Sequence, residues 1–139
     1  MKTIWITGGS SGIGLETAKK FTQNKWKVII SSRNFDALQK AEESIKASSE
    51  NKEIHSIVCD ISKSDEVNQV VEHIENNIAP IDLALLNAAA YSPNKSQEFD
   101  IENYNLLIDV NLKGTLHCIN ALQKKMSMRK QGHIAIVSS

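Results

Sequence analysis

Cysteine is scarce in this sequence: Cys59 and Cys118 are far apart, with no Cys-x-x-Cys spacing. The pair reads as small buried residues in a reducing compartment, and no disulfide is expected. An excess of one charge is also missing. Lys and Arg total 16 and Asp and Glu total 16, so the formal net charge is zero. Nothing in the charge favours nucleic acid or an acidic surface as a partner. His55, His73, His117 and His133 lack metal-ligand spacing, and no metal is expected. No apolar run approaches membrane-spanning length, and Met1 leads straight into a strand without a signal segment. No membrane is therefore expected, and the cytoplasm is the expected compartment. Repeats, low-complexity segments and interdomain linkers are absent too. The 139 residues suit one domain large enough to bury a core.

What the sequence does have is a glycine-rich turn, Thr7-Gly8-Gly9-Ser10-Ser11-Gly12-Ile13-Gly14. Lys2 to Thr7 before it reads as a buried strand around Ile4, Trp5 and Ile6. The stretch after it has helical period, with Ile13, Thr17, Ala18 and Phe21 on one face. A glycine turn from strand to helix gathers unpaired N–H groups and a positive helix end, which suits an anion. Glycine reaches positive φ without strain and lets a phosphate approach the backbone. A P-loop is excluded, because Leu15 and not Lys follows Gly14. The literal G-x-G-x-x-G is excluded by Thr17.

The remaining chain alternates. Asn24 is the expected helix stop, and Trp26 to Ser31 the second strand, with Val28, Ile29 and Ile30 continuous as in a sheet covered on both faces. Asn34 caps a helix with Leu38, Ala41 and Ile45 inward. Ile54 to Cys59 is the third strand. Ser62-Lys63-Ser64-Asp65 is close to a capping box, before a helix with Val67, Val70, Val71, Ile74 and Ile78 inward and Pro80 as its break. Ile81 to Leu86 is the fourth strand. After a loop, Ile101 to about Met128 is expected as one long helix, with Tyr104, Leu107, Ile108, Leu112, Thr115, Leu116, Ile119, Leu122 and Met126 inward. Ile134 to Val137 is the fifth strand. This β-α alternation predicts an α/β fold, a doubly wound parallel sheet in the order 3-2-1-4-5. Ligands of such sheets bind at the carboxyl ends of the strands, at the switch between strands 1 and 4.

Candidate residues fall at those ends. Ser32-Arg33 ends strand two, where an adenosine ribose is read. An acidic residue there would select NAD. A guanidinium instead pairs with a 2′-phosphate, so NADP is expected and NAD disfavoured. Asp60 ends strand three and Asn87 ends strand four. Asn111 lies within the long helix, where a polar residue beside an apolar stripe needs partners.

Thr-Gly-x-x-x-Gly-Ile-Gly resembles the cofactor loop of the short-chain dehydrogenase/reductase family, and the resemblance runs from Lys2 to Ser139. It implies cofactor contacts at Gly8, Ser10, Ser11, Gly12, Ile13 and Gly14, at Ser32 and Arg33, at Asp60 and Ile61, and at Asn87, Ala88 and Ala89. Asp60 would bond the adenine amino group, or serve the helix N-terminus after it, or both. Asn87-Ala88-Ala89 is similar to the family's Asn-Asn-Ala-Gly, with Leu86 and Ala89 as departures; Asn87 stands either as a cofactor contact or as a structural group. Asn111 would hold a water of a proton relay, or only bond helix backbone. Gly132 to Ser139 is similar to the family's fifth strand and would make Ser139 the catalytic serine, holding the substrate carbonyl as charge develops.

The family's acid/base Tyr, with Lys four residues on, has no acceptable match. Tyr91 to Lys95 has the spacing, but it directly follows strand four and contains Pro93, against the helix that spacing requires. The implied reading is the N-terminal, NADP-binding part, residues 1–139, of a longer single-domain oxidoreductase, incomplete on its C-terminal side and inactive alone. Its substrate would be a small carbonyl or alcohol. The whole enzyme is expected to associate with itself through residues 101–128. Two other readings stand: a non-catalytic dinucleotide-binding module, and a chain using its long helix for association alone.

Overall fold

The computed structural model describes residues 1–92 and 98–138. Five strands form one parallel sheet: β1 (Thr3–Thr7), β2 (Lys27–Ser32), β3 (Ile54–Val58), β4 (Leu83–Leu86) and β5 (His133–Ile136). Their order is β3-β2-β1-β4-β5, as the alternation predicts. In register, β1 sets Ile4 beside Val28 and Leu83, and Ile6 beside Ile30 and Leu85. Side chains of a strand alternate between faces, so the central strands feed two cores. Ile4, Ile6, Val28 and Ile30 meet Ala18 of α1 (Gly12–Gln23) and Leu38, Ala41 and Ile45 of α2 (Phe35–Ala47). Trp5, Ile29, Ala84 and Leu86 face the other way. They meet Val67, Val70 and Val71 of α3 (Ser64–His73) and Cys118, Leu122 and Met126 of α5 (Thr115–Arg129). Trp5 is wholly buried, so its indole needs a partner, and it donates to Ser31 Oγ at 3.1 Å.

Local signals worked where a side chain could satisfy a backbone group directly. Asn34 Oδ1 caps α2 by accepting from Ala37 N at 2.9 Å. Asn24 ends α1 as expected, with φ −89° and its side chain donating to Lys20 O; the left-handed residue is Lys25, φ 62°. Two expectations need correction. No capping box forms at Ser62 to Asp65. Lys63 occupies the cap position without a side-chain capping bond, the Ser62 hydroxyl is spent on Asp60, and Glu66 is the carboxylate that reaches back, to Asp60 N. In α1, Ile13 is exposed, and the inward face is Gly14, Ala18 and Thr22, because the close approach of Gly14 to Gly8 turns that side of the first turn inward.

The long helix is composite. α4 (Ile101–Ile108) runs into a π-helical segment, Asp109–Gly114, and then α5. Wider i→i+5 pairing rotates the downstream face. The inward line is therefore Val110, Gly114, Cys118, Leu122 and Met126, while Tyr104, Ile108, Leu112 and Leu116, expected inward, are exposed. A second π turn, Ile74–Ile78, ends α3. Glu75 within it accepts from Ile81 N at 2.9 Å and pairs with Arg129 at 2.7 Å, tying α3, the start of β4 and the end of α5 together. Among the described residues no helix is long and apolar enough to cross a membrane.

Candidate cofactor site

A cleft of about 400 Å³ opens at the carboxyl ends of β1 to β4. Gly8, Ser10, Ser11, Gly12 and Ile13 form one wall. Ser32 and Arg33 after β2, Asp60 and Ile61 after β3, and Asn87, Ala88 and Ala89 after β4 form the rest. Gly14 is the one expected contact of the loop that does not line it.

The glycines divide the labour. Gly8 has φ +66°, and a Cβ on it would sit 2.8 Å from Ala88 Cα. Gly14 has an ordinary φ, but a Cβ there would come within 2.3 Å of Gly8 O and 2.7 Å of Asn87 Nδ2. These two let the loop close on itself and on β4. Gly12, φ +53°, is different: a Cβ would meet nothing within 4 Å. Ser11, the residue before α1, makes no side-chain capping bond. The first-turn N–H groups of α1 thus lack an internal acceptor, beside a backbone bare of side chain. An anion such as a pyrophosphate fits that opening.

Asn87 is committed to architecture by its bonds. Its Nδ2 donates to Thr7 O and Gly8 O, each at 3.2 Å, and its N–H donates to Thr7 Oγ1 at 3.0 Å. Thr7 Oγ1 also accepts from Ala88 N at 3.1 Å. Thr7 has no role legible in the sequence, yet its hydroxyl clips the end of β4 to the glycine loop. Ala89, in place of the family's glycine, is not among the residues with positive φ, so the substitution carries no strain of that kind.

Arg33 is exposed and has no hydrogen bond or ion pair among the described residues, which leaves its guanidinium open to a ligand. It lies close enough to Asp60 to act on its ionisation. Burial alone would raise the Asp60 pKa, but the Ser62 hydroxyl and N–H and the charges of Arg33 and Lys63 outweigh it and hold the carboxyl below its ordinary value. Asp60 Oδ1 accepts from Ser62 N at 3.0 Å and from Ser62 Oγ at 2.7 Å. Cys59, next to it, also borders the cleft. Burial, then the carboxylates of Glu66 and Asp60, push its thiol up to about 12; burial, then Cys59, does the same to Cys118. Such thiols are inert packing groups.

Asn111 stands outside this wall but holds its neighbour. Its amide bonds the backbone of Ala90, and Val110 beside it lines the cleft. Ser139 lies outside the described residues. So does Lys95, while Tyr91 is 89% exposed. Among the described residues no group of His, Cys, Asp and Glu could hold a metal ion. Ser31, Asn34, Cys59 and Val110 line the cleft without having been anticipated. Adjacency to Ser32, Arg33, Asp60 and Asn111 was the available signal.

Comparison with known proteins agrees with this geometry. The family model for short chain dehydrogenases matches residues 2–139. An uncharacterized oxidoreductase of Staphylococcus saprophyticus is 33% identical over 138 residues, covering 99% of this chain and 54% of the relative. A solved metagenomic short-chain oxidoreductase in complex with NADP is 27% identical, with a TM-score of 0.90 over 99% of this chain and 62% of that one. A solved NAD+-bound xylitol dehydrogenase is 26% identical, with a TM-score of 0.88 over 99% of this chain and 53% of that one. The chain spans about half the length of the curated relatives it matches. With the five-strand order, the glycine loop and a family match over nearly its whole length, this chain belongs to the short chain dehydrogenase family.

Proposed function

We propose that residues 1–139 are the cofactor-binding part of a longer, NADP-dependent oxidoreductase acting on a carbonyl or alcohol. The observation that carries this reading is convergence. The open glycine loop, the free Arg33 and the ionised Asp60 come from three strand ends and border one cleft. A dinucleotide has three matching parts: a pyrophosphate, a ribose 2′ position and an adenine. Solved relatives are described with NADP and with NAD+, so the family fold alone does not choose between them. Arg33, without a hydrogen-bonding or ion-pair partner among the described residues, favours the 2′-phosphate.

Residues of the loop and of α1 bind and orient the pyrophosphate through N–H groups. Asp60 accepts from the base, and Arg33 holds the 2′-phosphate. The nicotinamide supplies hydride chemistry when bound. Asn111 holds the chain after β4 against the π-helical segment and so shapes the inner end of the cleft. Ser139 polarises the substrate carbonyl. A tyrosine and lysine from the continuation of the enzyme exchange the proton, the lysine lowering the tyrosine pKa. The whole enzyme resides in the cytoplasm and associates through 101–128, where Ile108, Leu112 and Leu116 present an outward apolar line.

The test is equilibrium titration of the 139-residue chain with NADPH and NADH, followed by nicotinamide fluorescence. Binding with preference for NADPH is expected. A folded chain that binds neither dinucleotide sinks the reading.

A further inference from the structure

The segment from Asp60 to Glu66 is wired more closely than an adenine contact alone would need. Asp60 Oδ1 is taken twice, by the Ser62 N–H and the Ser62 hydroxyl. Asp60 Oδ2 accepts from no described residue, on a side chain that borders the cleft. The backbone is fixed separately. Glu66, from the first turn of α3, accepts from Asp60 N at 2.9 Å through Oε2 and from Lys63 Nζ at 3.0 Å through Oε1. Ser62 thus sets the rotation of the carboxylate, and Glu66 sets where its Cα stands.

We propose that Ser62 and Glu66 are positioning residues that make Asp60 a fixed, single-oxygen acceptor, selecting a purine with an amino group at position 6 over one with a carbonyl there. This rests on the dinucleotide reading above. An ionised carboxylate only accepts hydrogen bonds. Adenine offers a donor at position 6, whereas hypoxanthine and guanine offer a carbonyl, another acceptor. A carboxylate free to swing relieves the clash with a carbonyl by turning away or admitting water. A carboxylate tied by Oδ1 has no such escape. Selectivity therefore depends on the ties as well as on Asp60 itself. The low pKa of Asp60 serves the same end, since a protonated carboxyl would donate to the carbonyl and erase the distinction.

The experiment measures dissociation constants of the 139-residue chain for NADPH and for its hypoxanthine analogue, in which a carbonyl replaces the amino group at purine position 6 and N1 carries a proton. The ratio of the two constants is the readout. Wild type should favour the adenine form by about tenfold or more, the scale of one hydrogen bond to a charged group. Asp60→Ala should bring the ratio near one. Ser62→Ala and Glu66→Ala should each reduce it by about threefold or more, within the range of a single net hydrogen bond. Ser62→Thr, which keeps the hydroxyl, and Glu66→Gln, which keeps an acceptor, should restore it. In an Asp60→Ala background, Ser62→Ala should change the ratio no further. A merely structural role would weaken both ligands equally and leave the ratio alone. An unchanged ratio in a folded Ser62→Ala or Glu66→Ala chain overturns the proposal, as does a wild-type ratio near one. If Ser62→Ala does not fold, Glu66→Ala with its Gln rescue decides alone. Binding of neither dinucleotide by wild type overturns the dinucleotide reading and this proposal with it, an outcome distinct from binding without base selectivity.

Discussion

Asn111 turns both ends of its amide to the backbone of one residue, Ala90. Its Oδ1 accepts from Ala90 N at 2.7 Å and its Nδ2 donates to Ala90 O at 2.9 Å. The tie joins the chain leaving β4 to the π-helical segment, and Asn111 O in turn accepts from Thr115 Oγ1 at 3.2 Å. Each such bond contributes about 1 kcal/mol net, toward the low end where solvent competes. Asn111→Ala should therefore lower unfolding stability by about 1–2 kcal/mol. Urea denaturation checks this: the midpoint should fall with the slope unchanged. An unmoved midpoint would show that water replaces both bonds at no cost.

Gly14 and Gly12 should fail in opposite ways. A methyl on Gly14 meets Gly8 O at 2.3 Å and the Asn87 amide at 2.7 Å, and a backbone carbonyl has little room to retreat. Gly14→Ala should cost about 1–3 kcal/mol or more by overpacking and should also weaken ligand binding. Gly12→Ala meets nothing, so its stability cost is that of a left-handed alanine, about 1–2 kcal/mol. Binding should nonetheless drop, because the methyl projects into the space a pyrophosphate would occupy. Thermal melts combined with NADPH titration separate the two. A Gly14→Ala chain as stable as wild type, or a folded Gly12→Ala chain with full affinity, would contradict this division.

The sheet was legible because continuous apolar strands and amphipathic helices each declare one period. The cleft was legible because the fold puts strand ends together whatever their spacing in sequence. Four features were not. Asn111 to Ala90 and Asn87 to Thr7 are matches across loops, with no periodic trace. The π-helical turn at 109–114 changes which side chains face inward, so reading Ile108 and Leu112 with an α-helical period put them on the wrong side. Ser62 looked like a cap because its neighbours do. Only the fold shows that the nearer customer for its hydroxyl is the Asp60 carboxylate.

Cofactor preference should turn on Arg33. It has no hydrogen bond or ion pair among the described residues, and a bidentate charge-assisted pair with a 2′-phosphate is worth roughly 1.5–3 kcal/mol, or about ten- to over a hundredfold in affinity. Arg33→Ala should cost NADPH that factor and leave NADH nearly unchanged. Isothermal titration of both variants with both cofactors decides it. Equal affinity of wild type for the two cofactors would remove Arg33 from the site.

The two thiols predict an alkaline slope. Burial raises Cys59 and Cys118 from an ordinary 9.0 to about 12. A raised folded-state pKa gives stability that is complete below the unfolded value and lost as pH climbs through the folded one. Stability should accordingly decline between about pH 9 and about pH 12, and Cys118→Ala should flatten that decline. At neutral pH both thiols should resist a disulfide reagent until denaturant is added. Rapid labelling of the native protein would show that the packing around them opens.

The last prediction concerns the chain on its own. β5 is an edge strand of the described sheet, and Ile136 and Val137 beside that edge are 52% and 42% exposed. Exposed apolar edge strands invite pairing with another chain. A second apolar surface, Ile108, Leu112 and Leu116, lies on the long helix. The 139-residue chain should therefore self-associate as its concentration rises, and the two surfaces predict different products. Edge pairing is open-ended and gives a broad distribution of aggregates. Helix pairing closes on itself and gives a discrete dimer. Ile136→Lys should suppress the first, and Leu112→Lys with Leu116→Lys the second. Sedimentation velocity on wild type and both variants distinguishes them. The same chain should show no NADPH oxidation with a broad panel of aldehydes and ketones. The one tyrosine-lysine pair of the right spacing begins at an 89% exposed Tyr91 and contains Pro93. A monomeric, cooperatively folded chain that reduces any such carbonyl would return Tyr91 and Lys95 to the mechanism and refute the assignment of proton exchange to residues beyond Ser139.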